Sequence, residues 1–296
     1  MEGTYMNFPV TRSGIALSGL LLAAGLAFAA ASPAWQQQQQ QQQSKPPDAS
    51  STTAPTAPPA SGPLAATEAP KVDPAEEADY KAFYAADASD ADAVIKLGEG
   101  FVAKYPSSRY NESVYSRLTE AYFSKQQLDK MYATADKALL ADQDDVNVLV
   151  LIGWVIPHNY DPNDMEADRR LDKAETYEKH ALTLIPTMTK PGPMTDDQFA
   201  KAKASATSQA HSGLGLIYFR RQDFANSISE LQLSEQDAAT PDPTDFFVMG
   251  FEYSQMKKYS ESAAAFDKCA SIPSGLADRC KQNAADARKQ AAAAPK

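Results

Sequence analysis

The feature that most limits how this chain can fold is that it repeats itself every 34 to 35 residues. Gly215 and Gly250 are 35 apart, as are Tyr218 and Tyr253, and Phe224 and Tyr259, while Thr119 and Gly153 are 34 apart. Around each of these sites the pattern is the same. An apolar residue precedes a small one, an aromatic or apolar residue follows three later, and a second run carries Ala or Phe on one face. Self-similarity at such a period marks a stack of identical supersecondary units, none of which can bury its apolar face alone. Spacings of three and four residues make both halves of the unit helical. The stretch VNVLVLIGWVI would read as a strand on propensity alone, but its place in the repeat makes it a helix.

The glycines sharpen the argument. Glycine inside a helix costs roughly 1 kcal/mol against alanine, so "HSGLGLIYFRRQDFANSISEL" (His211 to Leu231) needs a reason for holding two. The register supplies one for Gly215, a point where two helices cross too closely for a side chain. It supplies none for Gly213.

This pattern resembles the tetratricopeptide repeat, a helix–turn–helix unit with small residues at its eighth and twentieth positions. The unit near 243–276 carries Phe246, Met249, Gly250, Tyr253, Tyr259 and Phe266 in register, and the unit near 208–242 carries Leu214, Gly215, Tyr218, Phe224 and Leu231. In that second unit Ser227 and Ser234 stand where alanine is usual. Near 146–187, Leu149, Ile152 and Gly153 open a unit that Ala174, Ala181 and Pro186 close, with "PHNYDPNDMEADRR" inserted between the halves. The unit near 112–145 has Tyr115, Leu118, Tyr122 and Ala138, but Thr119 and Met131 at its small positions. Upstream, "FVAKYPSSRYNESVY" is similar to a junction of tetratricopeptide proteins of the bacterial envelope, and Asp73 to Tyr105 is expected to form a first, degenerate helix pair. Thr195 with Gln198 three residues on is a capping-box signature, predicting a helix from about Asp196 to Arg221. Residues 275–292 read as a final capping helix. The expected fold is therefore all-α: a tetratricopeptide-like solenoid of about four to five helix pairs over 73–296, with a cap, preceded by a tether.

The resemblance also implies where such a protein binds. In the family the first helix of each unit lines a concave groove, and carrying its positions over one unit at a time selects Glu120 and Phe123, Val150 and Trp154, then Leu216, Phe219 and Arg220, and finally Phe247 and Phe251. Aromatics dominate this set, which suits apolar anchors of a protein or peptide partner, and Arg220 is placed to hold a carboxylate. The alternative at this point is that these rings are covered by the protein itself.

Composition places the repeats in context. Residues 14–31, GIALSGLLLAAGLAFAAA, are uncharged and apolar after Arg12, with small residues at Ala27, Ala29 and Ala31. This is the form of a secretory signal peptide, with an uncleaved inner-membrane anchor facing the periplasm as the alternative. Eight glutamines, Gln36 to Gln43, and a Pro/Ala/Ser/Thr-rich stretch to residue 72 follow; too little of it is apolar to fold, so a disordered linker is expected over 32–72. Export puts Cys269 and Cys280 in an oxidising compartment. They flank the "ASIPSGL" turn between the last repeat and the cap, where antiparallel helices suit a disulfide. A net charge of −10 and a pI near 4.9 argue against a nucleic-acid partner.

A search for chemistry ends without a candidate. His158, His180 and His211 have no metal-ligand spacing. "DPNDMEAD" concentrates carboxylates but lacks the glycine and glutamate of a calcium loop. No phosphate-cradling loop, nucleophile elbow or zinc-protease motif occurs. No catalytic residue, metal site or cofactor is therefore expected, and the reading is a non-catalytic interaction module of the cell envelope, or alternatively a structural subunit of a permanent envelope complex.

Overall fold

The polar breaks between the repeats act as helix caps. Asp73, Asp90, Asp145 and Asp242 each turn a side-chain oxygen onto a backbone N–H of the helix that follows, satisfying donors that a helix start leaves orphaned. Thr195 and Gln198 close the expected capping box with both reciprocal bonds. A computed structural model describes residues 73–294 apart from 193 and 237. The apolar run at 14–31 and the linker to residue 72 lie outside the described residues.

Among those residues there are eleven α-helices and no strand. They are α1 (Pro74–Ala85), α2 (Ala91–Lys104), α3 (Asn111–Ser124), α4 (Leu128–Ala141), α5 (Val146–His158), α6 (Ala167–Leu184), α7 (Asp196–Arg220), α8 (Phe224–Gln236), α9 (Pro243–Gln255), α10 (Tyr259–Ser271) and α11 (Ala277–Ala293). Consecutive helices pair into five hairpins, and α11 closes the end against α10. One turn of 3-10 helix, Ile185–Thr187, leads out of α6.

Three hairpins share one turn. Gln126, Gln222 and Lys257 sit in the left-handed region at φ of 58°, 61° and 59°. Around Gln222, Asp223 donates to the Tyr218 carbonyl and Gln222 to the Phe219 carbonyl, and both bonds recur at the other two turns. This is the Schellman closure, here carried by residues other than glycine. The third hairpin departs from it: α5 runs through Pro157 to His158, and residues 159–166 replace the tight turn.

The small positions explain the packing. A Cβ on Gly215 would lie 2.5 Å from the Leu231 side chain, and one on Gly250 would lie 2.7 Å from the Phe266 ring. Each glycine marks the place where the second helix presses a large apolar residue against the backbone of the first. The serines at alanine positions have partners of their own. Ser227 donates to the Gly215 carbonyl and Ser262 to the Gly250 carbonyl, at 2.8 and 2.7 Å, and Ser234 donates to Asp245. Apolar contacts run on through the stack, one cluster reaching from Tyr80 to Ile217 and another from Leu216 to Ala284. Arg117 on α3 reaches back to donate to the carbonyls of Phe83, Tyr84 and Ala86, capping the C-terminus of α1.

Candidate interaction face

The first helices of hairpins two to five, α3, α5, α7 and α9, bring the sequence-selected aromatics into one line. Phe123 meets Trp154 edge to face with centroids 6.1 Å apart, and Trp154 lies against the His158 ring at 3.8 Å. Arg220 comes next. Its Nε donates to the Pro157 carbonyl at 2.9 Å, and its guanidinium lies over the rings of Tyr160 and Phe219. Phe219 in turn meets Phe251 edge to face at 5.9 Å. Two groups of rings, Phe123–Trp154–His158 and Phe219–Phe251, therefore lie along four helices, bridged by Arg220, which bonds the Pro157 carbonyl beside the first and lies over Phe219 of the second.

Not every selected residue belongs to these groups. Leu216 and Phe247 are 2% and 1% exposed, and Val150 is buried too. Phe247 packs edge to face on Phe266 within the last hairpin. These three are packing residues, because a Leu, Phe or Val side chain turned inward at a helix crossing is consumed by its own or a neighbouring hairpin. Phe219, at 9%, shows only an edge. Phe123, Trp154, Arg220 and Phe251 are half-buried and form the accessible part. Arg220 also corrects the picture of a rim cation, since burial lowers its pKa to about 10 and the Pro157 carbonyl already occupies its Nε.

Two members of this face escape a reading by repeat register. His158 and Tyr160 belong to the inserted segment, where the family pattern breaks off. The His158 Nδ1 is 2.7 Å from the Trp154 carbonyl, which requires that nitrogen to carry the proton. Burial lowers its pKa; the Trp154 carbonyl and Asp242 oppose this and Arg220 reinforces it. The ring is thus held neutral, and its Nε2 is enclosed without a hydrogen-bond partner.

Acidic groups border the same face. Glu120 on α3 has its pKa pushed up to about 8 by burial and the nearby Asp145, against the opposing pull of Arg117. Asp145 is raised mainly by its own burial. Elsewhere, among the repeat-packing residues, Ala174 and Ala181 are fully enclosed, and Phe266 lies under Gly250. The Tyr218 hydroxyl donates to Glu175, and the Tyr253 hydroxyl accepts from Gln232. Gly153 and Gly213 both face the side chain of Glu178, the contact that the register could not supply for Gly213. Cys269 and Cys280 are joined, with Cα atoms 5.9 Å apart. Among the described residues no group of three or more His, Cys, Asp or Glu converges to hold a metal ion.

No protein-family model matches the sequence, and comparison with curated proteins gives no match. Among solved structures the chain is similar to TTC0263, a thermophilic TPR protein of Thermus thermophilus, with 14% identity and a TM-score of 0.45 over 72% of this chain and 99% of that one. It is also similar to the P58(IPK) TPR domain, with 13% identity and a TM-score of 0.28 over 72% of this chain and 63% of that one. On its own repeat register, glycine crossings and shared turns, the described chain is a tetratricopeptide-like helical solenoid.

Proposed function

We propose that this protein is a non-catalytic interaction scaffold of the cell envelope, exported to the periplasm, that holds a segment of a protein partner along α3, α5, α7 and α9. The observation that carries this reading is the pair of ring groups, Phe123 to His158 and Phe219 to Phe251, bridged by Arg220. Half-buried rings on rigid helices give contact area at little entropic cost, which is how interface anchors work. The apolar run at 14–31 and a disulfide-bonded pair of cysteines support the setting.

The test pairs wild type with a Trp154→Ala, Phe251→Ser double variant of the full chain in its native host. Cross-linking and mass spectrometry are expected to show one partner attached to α3, α5, α7 or α9 in wild type. The variant should lose that partner with its melting temperature lowered by no more than a few degrees. Cross-links confined to the outer helices, unchanged in the variant, would remove the groove. The burial of Leu216 and Phe247 favours a second reading, a subunit of a permanent complex in which the groove is incidental. In that case the outer-helix cross-links come with a stoichiometric partner that survives purification.

A further inference from the structure

Glu178 on α6 is 0% exposed, and neither of its carboxyl oxygens has a hydrogen-bond partner. An isolated carboxylate out of water is among the least tolerable groups in a protein interior. A Cβ on Gly153 of α5 would lie 2.5 Å from the Cδ and Oε1 of Glu178, and a Cβ on Gly213 of α7 would run into Oε1. The carboxyl thus fills a notch cut by two glycines on different helices, at the joint between the third and fourth hairpins.

One of the two glycines also has a carbonyl that lacks its usual helical donor. Gly153 stands four residues before Pro157 in the same helix, and proline has no N–H to give to the Gly153 carbonyl. A protonated carboxyl carries an O–H that can be donated there, whereas a carboxylate only accepts.

The charged neighbours are committed elsewhere. On α6 itself, Glu175 is held by Lys179, Tyr218 and Arg221. On α7, His211 is paired with Glu230 of α8, and Ser212 donates to Asp245 of α9. Arg220 gives its Nε to Pro157, and on α5 His158 is bonded to the Trp154 carbonyl. Burial is the one influence on Glu178, and it raises the pKa well above the ordinary carboxyl value.

We propose that Glu178 is a proton-operated lock on the joint between α5, α6 and α7. With its proton, the carboxyl closes the notch and shares the O–H with the Gly153 carbonyl. Without it, the side chain leaves the notch for water, the proton passes to solvent, and α6 parts from α5 and α7. Below pH 4.5 the carboxyl is protonated whether the joint is open or closed, and closure has no cost. Above that value the open joint ionises freely while the closed one keeps its proton, so opening gains with every further rise in pH until the closed form also ionises. The helices concerned carry members of the two ring groups, Trp154 on α5 and Phe219 on α7, so the lock sets their spacing.

Hydrogen exchange on the full chain between pH 5.5 and 8.5, without ligand, tests this independently of any partner. Divided by the intrinsic rates, protection at the facing stretches of α5, α6 and α7 is expected to fall about tenfold per pH unit, the signature of one linked proton. Glu178→Gln keeps the shape and a donor but cannot ionise, so it should flatten the dependence at this joint and leave it unchanged elsewhere. An equal slope in both proteins, or a flat wild type, overturns the lock. If Glu178→Gln does not fold, the wild type labelled with carbon-13 at glutamate Cδ decides. A Glu178 signal still protonated at pH 7 supports the lock, and one that titrates with the surface carboxylates near pH 4.5 overturns it.

Discussion

An alanine at Gly250 would put a methyl 2.7 Å from the Phe266 ring, whereas one at Gly100 on α2 would meet nothing within 4 Å. The two substitutions therefore have opposite signs. Gly250→Ala is expected to cost about 1–3 kcal/mol through overpacking, and Gly100→Ala to add roughly 1 kcal/mol from helix propensity; urea unfolding of each measures both. A Gly250→Ala protein as stable as wild type would mean that the crossing is loose. The same contrast shows how much was legible at this scale. Gly215 and Gly250 were readable because their partners, Leu231 and Phe266, stand in the same hairpin at a fixed offset. Gly213 was not, because its partner Glu178 lies in the preceding hairpin and is of a type that sequence patterns assign to solvent. Leu216 and Phe247 illustrate the converse. A repeat register fixes the direction of a side chain, but whether a neighbour covers it depends on how the hairpins stack.

At the scale of elements, the three shared turns each hold a residue with a Cβ in the left-handed region, which costs an L-residue about 1–2 kcal/mol. Replacing Gln222 by glycine removes that cost and adds some unfolded-chain entropy, so Gln222→Gly should stabilise the protein by about 0.5–1 kcal/mol in urea unfolding. Gln222→Val should destabilise it. The cap behaves differently, because a covalent bond holds it. Cys269 and Cys280 are 11 residues apart, and a loop of that length corresponds to about 3 kcal/mol of chain entropy. Reduction, or Cys269→Ala with Cys280→Ala, is expected to lower stability by up to that amount, with α11 first to lose amide protection. Helix bounds were the most legible part of this chain. The capping box at Thr195 predicted the start of α7, and its end differs by one residue from the expected one. The break after α5 was legible only as a departure, since the turn at Asp161–Asp164 has no counterpart in the other hairpins, and with it went the roles of His158 and Tyr160.

For the whole molecule, the carboxyls inside the stack dominate the pH response. Burial raises Glu120 and Glu252 to about 8 and Glu235 to about 7, and raises Asp245 as well. A carboxyl raised in the folded state supports folding fully below its unfolded value and loses that support as pH climbs through the folded value. The slope reaches about 1.4 kcal/mol per pH unit for each such proton. Other groups act in the opposite direction, among them the surface carboxyls of Glu77, Asp79, Asp87, Glu99 and Asp164, whose interactions solvent screens. Glu175, lowered to about 2 by Arg221, Lys179 and Tyr218 against its own burial, supports folding above the ordinary carboxyl range, and the lowered His158 does so above its ordinary value. The raised carboxyls are the more deeply buried, so solvent screens them least and they set the balance. The melting temperature is therefore expected to peak near pH 5 and to fall by well over ten degrees by pH 8.5, as read by calorimetry. A maximum at pH 8 would show that the buried carboxyls are ionised and paired in solution.

The glycine notch has a further consequence for how a chain like this can grow or be rearranged. Hairpins four and five meet their own small positions internally, Gly215 with Leu231 and Gly250 with Phe266, so at this crossing either unit carries its lock and key together. Hairpin three does not. Its Glu178 needs a glycine from the following unit, so that unit is the only neighbour offering Gly213, and a duplicated or transposed copy would drive the carboxyl into a side chain. The order of the units at that one joint is thus written into the residues, as an address that only the correct neighbour can read.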